Sequence, residues 1–138
     1  MEATMSQEKL SFELFKSSVL RDYSIACLSR EISLLGRKEV LGGKAKFGIF
    51  GDGKEVAQVA MAKFFKPGDF RSGYYRDQTF VLAAEMGTGE QLFAQLYADA
   101  DLGREPFSGG RQMNNFFATP FIDGTGEWLT LTNTKNSS

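Results

Sequence analysis

Residues 46–78 read KFGIFGDGKEVAQVAMAKFFKPGDFRSGYYRDQ, and the fold turns on how this stretch is read. Gly48 and Gly53, followed by Lys54, match the spacing of a phosphate-cradling G-x-x-x-x-G-K loop. That loop needs a hydroxyl after the lysine. Here Glu55 stands in that place, where a carboxylate would repel phosphate. The LGGKAKF before it is a poor buried strand. The glycines are therefore read as a turn that opens a helix. The helix runs through EVAQVAMAKFF, with Glu55 in the first turn, where a carboxylate complements the helix dipole. Ala57, Ala60 and Ala62 are small enough for close packing, and Pro67-Gly68 ends the helix. Residues 70–77, FRSGYYRD, follow as a short extended segment.

Upstream, residues 10–37 hold one glycine, Gly36, and no proline. Ile25, Leu28, Ile32 and Leu35 recur at helical spacing, with Ser29, Arg30 and Ser33 placed elsewhere. Leu14, Phe15 and Val19 extend the stripe. This predicts a long amphipathic helix, with or without a break near Asp22, whose apolar face packs into a core. Gly42-Gly43 marks a turn. Downstream, QTFVLAAEMG predicts a third helix ending at Gly87. Thr88 and Gln91 form a capping box that opens a fourth helix, with Leu92, Phe93 and Leu96 on one face. Periodicity fails after about Asp99, although residues 127–132 read as a strand. The organisation expected is a disordered N-terminus over 1–9, a helical segment over 10–99 and an irregular tail over 100–138. So long an irregular stretch suggests a domain completed by other polypeptide.

Composition narrows the function. A chain of 138 residues with 13 phenylalanines has apolar surface enough for a core. A net charge of -1 gives no basic surface for nucleic acid or anionic membrane. No histidine is present, which removes the usual general base and the usual zinc ligand. The single cysteine, Cys27, excludes an internal disulfide framework, fits a reducing compartment and reads as a small buried helix residue. The N-terminus is polar and acidic, and no apolar run could span a bilayer. A soluble, cytoplasmic protein is expected.

Four blocks then combine: Gly53-Lys54-Glu55, Pro67-Gly68-Asp69, Tyr75-Arg76-Asp77 and Gly110-Arg111-Gln112-Met113. In this order and spacing they resemble the N-terminal part of the alpha subunit of thiamine-diphosphate-dependent 2-oxoacid dehydrogenases. This is the decarboxylating component of pyruvate and branched-chain complexes, in some bacteria a fused alpha/beta chain. The resemblance covers residues 28–113. It implies a mainly α piece of an α/β thiamine-diphosphate-binding fold. It places Tyr75 and Arg76 at the thiamine diphosphate, and Phe47, Tyr75 and Met113 at the acyl pocket. The chemistry agrees, since a guanidinium fork suits phosphate oxygens and a phenol adds a directed hydrogen bond. Read from the residues alone, Tyr75 is equally a core-edge ring, Arg76 a surface partner of Asp77 or Asp69, and Phe47 and Met113 core. Asp77 would orient Arg76 or cap the third helix.

The resemblance also implies a magnesium ion whose ligands lie outside this chain. The family's Gly-Asp-Gly magnesium signature carries an asparagine pair soon after it, whereas the first asparagine after Asp52 is Asn114. Gln78 and Asn114 lie where the family usually has histidine. The implied partners are the beta part of the enzyme, which brings the glutamate that activates the cofactor, and a lipoyl acyltransferase. An oligomer is implied as well. On this reading the chain contributes no catalytic group and is inactive alone. The rival from another class is a small helical interaction or dimerisation module with no ligand.

Overall fold

A serine at position 11 starts the first helix. Its hydroxyl accepts the Leu14 amide at 3.3 Å, and the helix runs from Phe12 to Leu41 as α1. The computed structural model describes residues 11–118 and 135–137. The expected disordered N-terminus and the expected strand at 127–132 lie outside the described residues. α1 is continuous through Asp22, which pairs with Lys63 instead of breaking the helix. Gly42 and Gly43 end it, Gly43 with φ of 76°.

Three shorter helices pack on α1. These are α2 (Glu55–Ala62), α3 (Gln78–Ala83) and α4 (Gly89–Leu96). α2 stops earlier than its apolar run suggests. Its last turn tightens, with the Phe64 and Phe65 amides bonding back three residues to Met61 and Ala62. Within α2, Ala62 is buried but Ala57 and Ala60 are exposed. α3 also ends short of Gly87, at Ala83, because Glu85 takes the left-handed conformation (φ 61°) one residue past the cap. The capping box of α4 is present in both directions, Thr88 to the Gln91 amide and the Gln91 side chain to the Thr88 amide. β1 (Phe70–Arg71) and β2 (Asn136–Ser137) form a two-residue parallel pair.

All six residues of α3 are buried, so this helix is the centre of the molecule. Phe80, Ala83 and Ala84 meet Val59 and Ala62 of α2, while Val81 and Leu82 meet Ile32, Leu92 and Phe117. Full burial of a side chain such as Val81 contributes roughly 1.5–3 kcal/mol before entropy is counted.

The inner face of α1 departs from the expectation. Its buried residues are Ser29, Ile32, Ser33 and Gly36. Leu28 and Leu35 are about half exposed, as are Leu14, Phe15 and Val19. The buried face is rotated by roughly 60° from the apolar stripe, at 100° per residue. The cause is a polar pair arriving from α3. The Ser29 hydroxyl meets that of Thr79 at 2.6 Å, and the Gln78 amide donates to the Ser29 carbonyl at 2.7 Å. Cys27 is exposed, not buried. No helix among the described residues is long and apolar enough to cross a membrane.

Candidate functional site

The segment through Phe47 and Gly51 ties the candidate residues together. At its end, a Cβ on Gly51 would lie 2.6 Å from the Arg76 carbonyl oxygen, so only glycine permits this approach of two backbones. Gln58 of α2 completes the clamp. Its Nε2 donates to the Arg76 carbonyl at 2.7 Å and its Oε1 accepts the Phe80 amide at 2.9 Å. Gln58 is buried, and both ends of its amide are satisfied. The GDGK stretch is a turn, as its sequence indicates. Gly53 has φ of 92°, Asp52 accepts from Arg37 at 2.6 Å, and the Gly53 amide donates to the Glu55 carboxylate at 3.0 Å. Glu55 thus takes an amide that a phosphate would need.

Beyond the clamp, the Arg76 side chain reaches solvent. It folds over the Tyr75 ring, 5.1 Å from guanidinium carbon to ring centre, and Nε donates to the Tyr75 hydroxyl at 3.1 Å. The rings of Tyr74 and Tyr75 stand 4.2 Å apart. The hydrogen bond from Arg76, then that from Tyr74, hold the Tyr75 phenol below its ordinary value. Tyr74, which donates to Tyr75, is raised. Among the described residues, no partner engages the two terminal nitrogens of Arg76. Neither of the ion pairs open to Arg76 in the sequence forms. Asp69 accepts the Lys66 amide at 2.7 Å. Asp77 accepts the Tyr74 amide at 2.9 Å and faces Arg71, and its side chain neither orients Arg76 nor caps α3.

Phe47 and Met113 come together on one open cavity of about 320 Å³, which Tyr97 and Gln112 also line. Phe47 is 54% exposed and Met113 37%, so neither is core. Tyr75 does not line this cavity; the structure leaves it with Arg76 at the other end of the 47–51 segment. The link between the two is Asn114. Its side chain accepts the Ile49 amide at 3.0 Å and donates to the Ile49 carbonyl at 2.8 Å, and Asn115 adds a bond of 2.9 Å to the same carbonyl. Asn115 has φ of 64°, a left-handed position that asparagine tolerates.

The loop carrying Met113 is built on a buried carboxylate that the sequence reading missed. Glu105 is fully buried. It accepts the amides of Phe107, Ser108 and Gly110 at 2.7–3.2 Å and the Ser108 hydroxyl at 2.7 Å. The Ser108 hydroxyl in turn accepts the amides of Arg111 and Gln112, both at 3.1 Å. The glycine-rich composition here suits a loop wrapped round an acceptor, but nothing in the spacing marks Glu105 as that acceptor.

Gln78 and Asn114, where the resemblance implies histidine, are both structural here. Gln78 is buried and donates to Ser29 and Ser33 of α1 at 2.7–3.1 Å. Its Oε1 has no partner.

This is a mainly α scaffold that presents a phosphate-type donor pair at one end of the 47–51 segment, with a cavity of mixed polar and apolar lining at the other. The donor chemistry fits a diphosphate, since the terminal nitrogens of Arg76 have no partner among the described residues. No group of three or more metal-ligating side chains occurs among the described residues. The model of the dehydrogenase E1 component family matches residues 24–127, and the chain belongs to that family. Its members are thiamine-diphosphate-dependent enzymes that decarboxylate 2-oxoacids, generally within multienzyme dehydrogenase complexes. The chain is the N-terminal, helical segment of that fold. No curated protein and no solved structure matches it.

Proposed function

We propose that this chain forms one wall of the thiamine diphosphate site of a 2-oxoacid dehydrogenase. The observation that carries the reading is the Arg76 fork, held from behind by Gln58 and Gly51 and unengaged at its two terminal nitrogens. Arg76 binds the diphosphate through these nitrogens. The Tyr75 hydroxyl accepts from Arg76 and Tyr74 and keeps its own proton for a phosphate oxygen. Phe47 and Met113 line the acyl pocket, while Tyr75, at the other end of the 47–51 segment, serves the diphosphate. Held there, thiamine diphosphate would supply the nucleophilic carbon and the electron sink that decarboxylation of a 2-oxoacid requires.

The remaining parts come from elsewhere. The magnesium ligands and the glutamate that activates the cofactor belong to other polypeptide, the latter to the beta part. The acyl group passes to lipoyl groups of an acyltransferase. The chain is inactive alone and works in a cytoplasmic oligomer, with residues 10–99 as the helical segment and 100–138 as an irregular tail.

Titration calorimetry with thiamine diphosphate and magnesium, on the chain assembled with its beta part, tests this. Arg76→Ala is expected to weaken binding by about 10- to 100-fold, the loss of a charge-assisted pair. Equal affinity would remove Arg76 from the site.

A second reading is favoured by a different observation. Leu20, Cys27, Leu34 and Leu41 recur every seven residues on the outer side of α1, and all are exposed. Such a ridge suits a helical interaction module. Loss of cofactor binding in wild-type chain, with self-association retained, would select that reading.

A further inference from the structure

The side chains of Tyr74, Tyr75 and Arg76 project from one tight turn. The Asp77 amide donates to the Tyr74 carbonyl at 3.0 Å, which makes Tyr75 and Arg76 the two corner residues. The Asp77 carboxylate closes the turn again by accepting the Tyr74 amide at 2.9 Å, and it is itself held by Arg71. The backbone of Tyr74 is therefore fixed, although the residue is 55% exposed.

Packing does not account for this ring. Tyr74 belongs to neither hydrophobic cluster of the core, and it lies outside the Tyr75-Arg76-Asp77 block that carries the family resemblance. What it meets is Tyr75. The two rings stand 4.2 Å apart and are tilted by 40°, and the Tyr74 hydroxyl donates to that of Tyr75. Arg76 Nε donates to the same oxygen at 3.1 Å. A phenol has one proton to give. With two donors already on its oxygen, Tyr75 must point that proton away from both. Two donors also polarise the phenol, so the hydrogen bond it makes in turn is stronger.

We infer that Tyr74 is a positioning residue of the cofactor site, whose hydroxyl turns the Tyr75 proton outward onto a diphosphate oxygen. This role rests on the cofactor reading above. Tyr74 does not touch the ligand and acts through Tyr75. The corner so built offers donors alone, the Tyr75 hydroxyl and the terminal nitrogens of Arg76, which suits a group made of acceptor oxygens.

The test is calorimetry with thiamine diphosphate and magnesium, on the chain assembled with its beta part. It compares wild type with Tyr74→Phe, Tyr75→Phe, the double variant and Arg76→Ala. Phenylalanine keeps the exposed ring and removes only the hydroxyl. Tyr74→Phe is expected to weaken binding about three- to tenfold, the loss of one neutral hydrogen bond. It is expected to have no further effect once Tyr75 is phenylalanine. The second readout needs no cofactor. Hydrogen bonds from Arg76 and then from Tyr74 hold Tyr75 below its ordinary value, so in Tyr74→Phe its ring carbon signals should titrate at higher pH. A ring that only packs would move neither readout. Affinity unchanged in Tyr74→Phe, but weakened in Tyr75→Phe and Arg76→Ala, would overturn the inference and leave the cofactor reading standing. So would losses that simply add in the double variant, or an unmoved Tyr75 titration. Unchanged affinity in all the variants would overturn the cofactor reading, and this role with it.

Discussion

Arg76 illustrates how a surface cation becomes a positioned one. Its backbone is fixed by a buried amide from α2 and by a glycine that permits contact, while its side chain rests on the phenol before it. Gln58→Ala would leave the Arg76 carbonyl and the Phe80 amide without their partner. The expected cost is about 2 kcal/mol in denaturant unfolding, together with weaker cofactor binding. Unchanged stability would mean that the clamp contributes nothing. The phenol offers a second check. Arg76 is the main cause of the lowered Tyr75 value, so Arg76→Ala should make Tyr75 titrate at higher pH, nearer the ordinary tyrosine value. Ring carbon signals of Tyr75, followed through the alkaline range, would show it. An unmoved titration would mean that the hydrogen bond does not form in solution. The sequence singles out Tyr75 and Arg76 because they sit inside ordered blocks. It does not single out Gln58, because the role of that residue depends on a carbonyl 18 residues away.

At the scale of elements, the local capping signal held, while the expected ends of α2 and α3 and the long-range contacts did not. The capping box of α4 is written in neighbouring residues, and it formed as read. The inner face of α1 is set by Gln78 and Thr79, 45–50 residues away from the serines they meet, and no periodicity carries that information. Glu55 links α1 to α2 by a two-pronged pair with Arg30, at 2.8 and 3.1 Å. Burial alone would raise its carboxyl, but hydrogen bonds from Arg30 and the Gly53 amide outweigh burial and lower it. A lowered folded value means stability that is complete above the unfolded value of 4.5 and is lost as pH falls through the lower folded one. Melting temperatures of wild type and Glu55→Gln, compared as pH falls from 4.5 downward, should converge. A constant gap would contradict this coupling.

At the scale of the molecule, much apolar surface stays uncovered. Leu20, Leu34 and Leu41 are 58%, 46% and 82% exposed on the side of α1 that faces away from the core. Under either proposed reading, a ridge of this kind is the surface that contact with another polypeptide would cover. Leu34→Glu should weaken assembly by about tenfold or more in sedimentation experiments while leaving the melting temperature unchanged. Undiminished assembly would place the interface elsewhere. Family membership was legible because the blocks follow one another along the chain. The cavity shared by Phe47 and Met113 was legible only through that resemblance, since the two residues are brought together by Asn114 and by a loop wound round Glu105. The central claim, that the phenol and guanidinium at 75 and 76 grip a diphosphate, is tested most directly by an experimental structure of the chain with its beta part, thiamine diphosphate and magnesium. The expected result places the terminal nitrogens of Arg76 and the hydroxyl of Tyr75 within hydrogen-bond distance of diphosphate oxygens. An Arg76 turned to solvent, with the diphosphate held wholly by other residues, would contradict it.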